Sequence, residues 1–179
     1  MTRFRTVASR VIHQGRYLTF REDTLDLGDG KLVRREIVDH PGAVVIVPLH
    51  AQGQVIMVRQ YRHAAGKTLL ELPAGTLERG EDPLACARRE LREETGYAAA
   101  RWEPMAGFYS APGFTNEFMH LFLARDLSHD PLDGDEDEEI VVEPVPLAHA
   151  IAMIDRGEIQ DAKTIAGLLL THRRLTNQA

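Results

Sequence analysis

Apolar and polar positions alternate in short runs over the first third of the chain, form near-continuous apolar blocks in the middle, and settle into a helical period at the end. Residues 3–12 and 17–40 carry apolar and β-branched runs broken at His13-Gln14-Gly15 and at Gly28-Asp29-Gly30-Lys31. An Asp-Gly pair readily adopts the left-handed turn that joins two paired strands, so residues 1–40 read as an antiparallel sheet of about three strands. A sheet that small cannot bury a core of its own and must lie on the main domain, residues 41–179, or on a second subunit. The block Gly42-Ala-Val-Val-Ile-Val-Pro-Leu49 has the content of a buried strand, and the turn at Gln52-Gly53 leads to Val55-Ile-Met-Val-Arg59; together they predict a central hairpin. Further strands are expected over 102–108, 117–124 and 140–147, the last near an edge because of Pro144 and Pro146. Residues 109–116, with Pro112 and Gly113, read as a loop. Helices are expected over 147–156 and 161–175, joined at Gly157, with Ile165, Leu168 and Leu169 as the apolar stripe of the second.

One helix is written more sharply than any other element. Asp82 can cap it, Pro83 suits its first turn, where an N–H would be unpaired anyway, and Gly96 can take the left-handed conformation just past its end. At about 100° per residue, Leu84, Ala87 and Leu91 form the stripe that faces a core. Arg88, Arg89 and Arg92 lie to one side of it, and Glu90, Glu93 and Glu94 share the other flank. Glu90 and Glu94 are four apart and repel by roughly 0.2–0.5 kcal/mol. A hard divalent cation, Mg²⁺ or Mn²⁺, wants several oxygens at short range and would offset that repulsion. The competing reading is a solvated face on which Glu93 pairs with Arg89 one turn back.

Composition narrows the class. The 179 residues are 44% hydrophobic and 27% charged, which suits one well-buried globular domain with an appendage and excludes general disorder. No apolar run reaches the length of a membrane span, and the first residues lack the apolar core of a secretion signal. Cys86 is the single cysteine, so no intrachain disulfide can form; a reducing cytoplasm is expected, with Cys86 packed as a small apolar side chain. The net charge of −6 argues against a nucleic-acid surface, which needs basic patches.

Against that acidic background, Arg59-Gln-Tyr-Arg62-His63 is a basic island ahead of the Glu-rich helix. Arg59 and Arg62 either snorkel over a sheet edge or fork onto phosphate oxygens, and their place in the chain favours substrate contact. Glu71 is a support or a substrate contact. Residues 133–139 hold six acids in seven positions, a solvated loop that can also deliver a general base by closing over a bound substrate. No Gly-x-Ser-x-Gly elbow and no phosphate loop with Lys and Ser/Thr occurs, which leaves carboxylates with a divalent metal as the available machinery. That machinery suits attack of water on a phosphoanhydride.

The stretch from Gly75 to Tyr97 resembles the signature of the Nudix hydrolases: a Gly, a Glu after five residues, then after seven more Arg-Glu-apolar-any-Glu-Glu-any-Gly-apolar. Gly75, Glu81, Arg89, Glu90, Leu91, Glu93, Glu94 and Gly96 all fit, and Tyr97 is aromatic where an aliphatic residue is usual. The resemblance implies an α/β (α+β) fold, the Nudix α/β/α sandwich with a mixed sheet, here with the N-terminal sheet added. It implies Glu90, Glu94 and the Ala74 carbonyl as metal ligands, with Glu93 joining when substrate brings further ions, to make about two or three per site. Arg89 and Glu81 would orient those carboxylates. Among related enzymes a catalytic Glu lies on a loop in the region of the acid run, which points to Glu138 or Glu139, with Glu136 also a candidate. Pro112, sixteen residues after Gly96 and followed by Gly113 and Phe114, looks like a marker of the ADP-ribose pyrophosphatase branch. So do Arg59-Gln-Tyr-Arg62 and the Asp161-Ala-Lys163-Thr164 entry to the last helix. The expected reaction is hydrolysis of ADP-ribose to AMP and ribose 5-phosphate. GDP-mannose and other nucleoside-diphosphate sugars are the alternative substrates, and a non-catalytic nucleotide-sugar sensor is the alternative class. Relatives of this branch exchange their N-terminal strands between subunits, so a homodimer is expected, in which Phe4, Tyr17 or Phe20 could stack on adenine across the dimer.

Overall fold

The computed structural model describes residues 4–28, 30–134 and 139–177, which form two compact units. One comprises Met1–Gly42 and Phe108–Phe118, the other Ala43–Gly107 and Met119–Ala179.

The first unit is a three-stranded antiparallel meander of β1 (Arg5–Gln14), β2 (Thr19–Asp26) and β3 (Leu32–Asp39). The expected turn joins β2 to β3: Gly28 and Gly30 both have positive φ, and the Leu27 amide donates to the Lys31 carbonyl at 3.0 Å. β1 is exposed along its whole length. The 109–116 segment belongs to this same unit, where the Val38 amide donates to the Phe114 carbonyl at 2.8 Å and Asn116 donates to Asp39 at 3.1 Å.

The second unit is a sandwich. β4 (Ala43–Pro48) lies between β7 (Ala74–Thr76), antiparallel to it, and β10 (Phe118–His129), parallel to it; β8 (Tyr97–Pro104) follows antiparallel to β10. Every residue of β4 is buried, because both its faces are covered. Val44 and Ile46, with Phe122 and Ala124 of β10, pack against Cys86, Ala87 and Leu91 of helix α1 (Pro83–Thr95). Val47 and Leu121 face the other way, toward Gly167 of helix α3 (Ala162–Thr176). A second antiparallel sheet orders β11 (Ile140–Pro146), β5 (Gln54–Arg62) and β6 (Lys67–Glu71), and helix α2 (Leu147–Asp155) follows β11. The short β9 (Phe108–Tyr109) opens the loop of the first unit.

Several expectations are corrected. β4 and β5 do not form a hairpin: they lie in different sheets, and among the described residues the one bridge between these segments, Leu49 to Val55, falls just past the end of β4. A strand buried on both faces takes its partners wherever the topology supplies them, here the distant β10 and β7. The strand expected over 102–108 instead starts at Tyr97, immediately after α1, and ends at Pro104; its small residues Ala98 and Ala99 pair with Ser128 and Leu127 of β10, which extends that strand to His129. In α3 the stripe is shifted: Leu168 is buried, but Leu169 is 44% exposed, and Thr164, Gly167 and Thr171 complete the inner face. Gly167 sets this, because a Cβ there would stand 2.5 Å from Leu72.

Candidate active site

Helix α1 forms as its caps dictate. The Asp82 carboxylate accepts from the Ala85 amide at 3.0 Å, and Gly96, at φ 73°, donates its N–H to the Arg92 carbonyl at 3.0 Å. With both ends fixed, the apolar stripe seats on β4 and the carboxylate flank is carried to β7. There the Ala74 amide donates to Glu94 Oε2 at 3.1 Å, and a Cβ on Gly75 would lie 2.0 Å from the carboxyl carbon of Glu90. Glycine is therefore required at 75 for Glu90 to lie where it does.

Arg89 reaches over the same flank. Its Nη1 lies 2.8 Å from both Glu93 Oε2 and Glu90 Oε1, and Nε and Nη2 each lie 3.4 Å from Glu81 Oε1. Burial works against the charge on Arg89, but Glu90 and Glu93 outweigh it and hold the guanidinium firmly protonated. Glu81 is likewise penalised by burial, yet the Glu78 N–H and Arg89 keep its pKa below the usual carboxylate value. Cys86, by contrast, is pushed up to about 12, first by burial and then by the charges of Glu90 and Glu81. It is a packed thiol and no nucleophile.

A second cluster adjoins the first. Glu71 is 1% exposed and accepts both prongs of Arg62, Nε at 2.9 Å and Nη2 at 2.7 Å, together with the ammonium of Lys163. Burial raises its pKa, but Arg62 and Lys163 more than reverse that and hold it below the ordinary value. Arg62 is raised, first through Glu71, and the charge of Glu94 adds to the effect. A cation from β5 thus stands close enough to Glu94 for the two charges to attract. Arg59 lies apart, its Nη2 3.1 Å from Glu143 Oε1 on the neighbouring strand β11.

The structure therefore brings Ala74, Glu81, Arg89, Glu90, Glu93 and Glu94 together, with Arg62 and Glu71 beside them. Arg59 has Glu143 as its partner. Pro112, Gly113 and Phe114 lie in the first unit, with Phe114 exposed, as are Phe4 and Tyr17; Phe20 is half-buried, and the Arg16 guanidinium sits 4.7 Å above the Tyr17 ring. Glu139 is described and exposed, immediately ahead of β11, whereas Glu136 and Glu138 lie outside the described residues. Lys163 was visible in the sequence only as part of a marker motif, and nothing local tied it to Glu71.

Among the described residues no three His, Cys, Asp or Glu side chains are gathered into a ready-made cage. The donor set nonetheless fits a hard divalent ion: Glu90 lies in a cradle that a Cβ on Gly75 would fill, Glu94 lies beside Ala74, and Arg89 holds Glu93 next to them.

Comparison with known proteins agrees with this geometry. Residues 39–168 match the NUDIX domain model. The chain is 41% identical to the ADP-ribose pyrophosphatase of Bacillus subtilis (strain 168), covering 89% of this chain and 88% of that one. It is 39% identical to the methanol dehydrogenase activator of Bacillus methanolicus, covering 90% and 88%. Identity to the GDP-mannose pyrophosphatase of Cronobacter sakazakii (strain ATCC BAA-894) is 38%, covering 89% of each chain. Among solved structures, one described as an ADP compounds hydrolase superposes with a TM-score of 0.88 over 100% of this chain and 97% of that one, at 24% identity, a likeness of fold.

Proposed function

The chain belongs to the Nudix family, and from that premise we propose that it hydrolyses the diphosphate of ADP-ribose, water adding across one P–O–P bond to give AMP and ribose 5-phosphate. The observation that carries the reading is the seating of Glu90 and Glu94 against the Ala74–Gly75 backbone, with the Arg62 charge beside Glu94. Glu90, Glu94 and the Ala74 carbonyl would hold a divalent ion, Mg²⁺ or Mn²⁺, and Glu93, now on Arg89, would help to hold any further ions that came with substrate, two or three per site in all by the family's pattern. When bound, such ions neutralise the phosphate oxygens and stabilise the leaving oxygen. Arg89 and Glu81 fix the directions of the carboxylates. Arg62 spends two of its N–H groups on Glu71, and its free edge meets the diphosphate. Arg59 is a further phosphate contact, released in part from Glu143. Pro112, Gly113 and Phe114 choose what hangs on the diphosphate. One acid of the 133–139 run, Glu136, Glu138 or Glu139, accepts the proton of the attacking water.

The active form is a homodimer in which the N-terminal strands cover the partner's site, and its home is the cytoplasm. The wholly exposed β1, with Val7, Val11 and Ile12 among its outward side chains, supports the first of these. GDP-mannose is the second reading, favoured by the likeness to a GDP-mannose pyrophosphatase. The deciding measurement is kcat/KM for ADP-ribose against GDP-mannose, ADP-glucose and a nucleoside triphosphate in Mg²⁺. A preference of tenfold or more for a competitor, about 1.4 kcal/mol of transition-state binding, overturns the substrate assignment.

A further inference from the structure

Glu71 is enclosed and carries two cations on one carboxylate. Arg62 grips it from β5 through Nε and Nη2, while Lys163, itself buried in the first turn of α3, donates to the same Oε2 that Nη2 uses. Lys163 is held in turn. Its ammonium also donates to Asp161 at 3.0 Å, and Asp161 caps α3 by accepting from the Thr164 amide at 3.0 Å and from the Thr164 hydroxyl at 2.6 Å. Thr164 Oγ1 accepts from the Leu72 amide at 2.8 Å, so the start of α3 grips the chain at two successive residues, Glu71 and Leu72, just before Ala74 and Gly75. The network has a built-in division of charge. Lys163 satisfies Glu71 from inside the protein, and Arg62 satisfies it from the side where its own side chain is 38% exposed. Among the described residues the Arg62 side chain makes no hydrogen bond other than those to Glu71, so three of its five N–H groups remain available.

We propose that Lys163 is a positioning residue for the diphosphate contact of Arg62, acting through the buried carboxylate of Glu71. The proposal rests on the reading of the site as a nucleoside-diphosphate-sugar hydrolase. With Lys163 present, one cation neutralises Glu71 internally and the Arg62 fork is free to present both its remaining donors and its positive charge outward. Without it, the full charge of a buried carboxylate falls on Arg62 alone, which is drawn inward and loses its field at the phosphates.

The experiment is steady-state hydrolysis of ADP-ribose in Mg²⁺ by the full chain, comparing wild type, Lys163→Met, Lys163→Gln, Arg62→Met and the Lys163→Met/Arg62→Met double variant. Each is assayed well below its own melting midpoint. Lys163→Gln keeps a hydrogen-bond donor to Glu71 and serves if Lys163→Met does not fold. The expected result is a rise in KM of about tenfold in either Lys163 variant with kcat nearly unchanged, the signature of lost uniform binding. In the Arg62→Met background the Lys163 substitution then has no further effect on KM, because the group it acts through is gone. A lowered melting midpoint with KM unchanged assigns Lys163 a purely structural role and overturns the proposal, as does full additivity in the double variant. Failure of the underlying reading shows separately, in a wild-type chain that does not turn over ADP-ribose; the same cycle is then run on whichever nucleoside-diphosphate sugar the wild type cleaves.

Discussion

A methyl group on Gly75 would stand 2.0 Å from the carboxyl carbon of Glu90, which makes the strand residue and the helix carboxylate a fitted pair. Gly75→Ala therefore displaces the end of a flexible side chain while leaving the backbone in place. The variant is expected to melt close to wild type and to lose about a hundredfold in turnover, the usual cost of a misplaced catalytic group. Circular dichroism and a phosphate-release assay check the two halves, and turnover within twofold of wild type refutes the role given to Glu90.

Glu94→Gln keeps the acceptor for the Ala74 amide and removes only the charge. The fold should survive, and activity in Mg²⁺ should fall by several orders of magnitude because a neutral amide is a poor ligand for a hard cation. Near-normal turnover at saturating Mg²⁺ would remove Glu94 from the metal site.

Gln substitutions made separately at Glu136, Glu138 and Glu139 should yield one variant with low kcat and little change in substrate affinity, the behaviour of a general base. If all three turn over normally, the proton goes elsewhere.

Acid should loosen the second unit through Glu71. Its carboxyl is held below the ordinary value despite burial, because Arg62 and Lys163 stabilise the anion, so the native state binds fewer protons than the unfolded chain near that value. The stabilisation is complete above the unfolded pKa, about 4.5, and is lost as pH falls through the lower folded one. Thermal midpoints should drop on acidification below that point. Glu71→Gln should flatten the dependence while costing roughly 3–5 kcal/mol at neutral pH, the typical penalty for breaking a buried pair. An unchanged acid limb in the variant would show that other carboxylates govern it.

The proposed homodimer predicts that β1 is shielded in solution. Sedimentation should give twice the 20.0 kDa chain mass, and Val11→Glu, on the exposed strand, should shift the species toward monomer with loss of activity. A fully active wild-type monomer would refute the shared arrangement.

What was legible in the sequence was what is written locally. Asp82, Pro83 and Gly96 define α1 by capping chemistry that acts within a few residues, and the carboxylate flank follows from helical geometry alone. The N-terminal meander was legible for the same reason, through its glycine turn. Partner choice was not. Val44 to Val47 announce a buried strand, but nothing in them says that the neighbour is β10, more than seventy residues away, and not β5. The Glu71–Lys163 contact spans 92 residues, and a buried ion pair assembled from two such distant segments leaves no periodic trace in either. For Arg62 the expectation is a fork onto phosphate or a side chain snorkelling over a sheet edge, and its two bonds to Glu71 leave no local trace from which they could be read.

The path of the chain through its two units has a consequence for anyone who would re-tailor this protein. Residues 108–118 return to the unit that residues 1–42 began, and are tied there by the Val38–Phe114 and Asp39–Asn116 contacts. No single cut separates the units, so a chimera made by exchanging the N-terminal segment alone would pair a foreign β3 with a native loop. A transplant that carries both segments keeps those contacts matched, and makes residues 1–42 and 108–118 one heritable cassette despite the 65 intervening residues, 43–107.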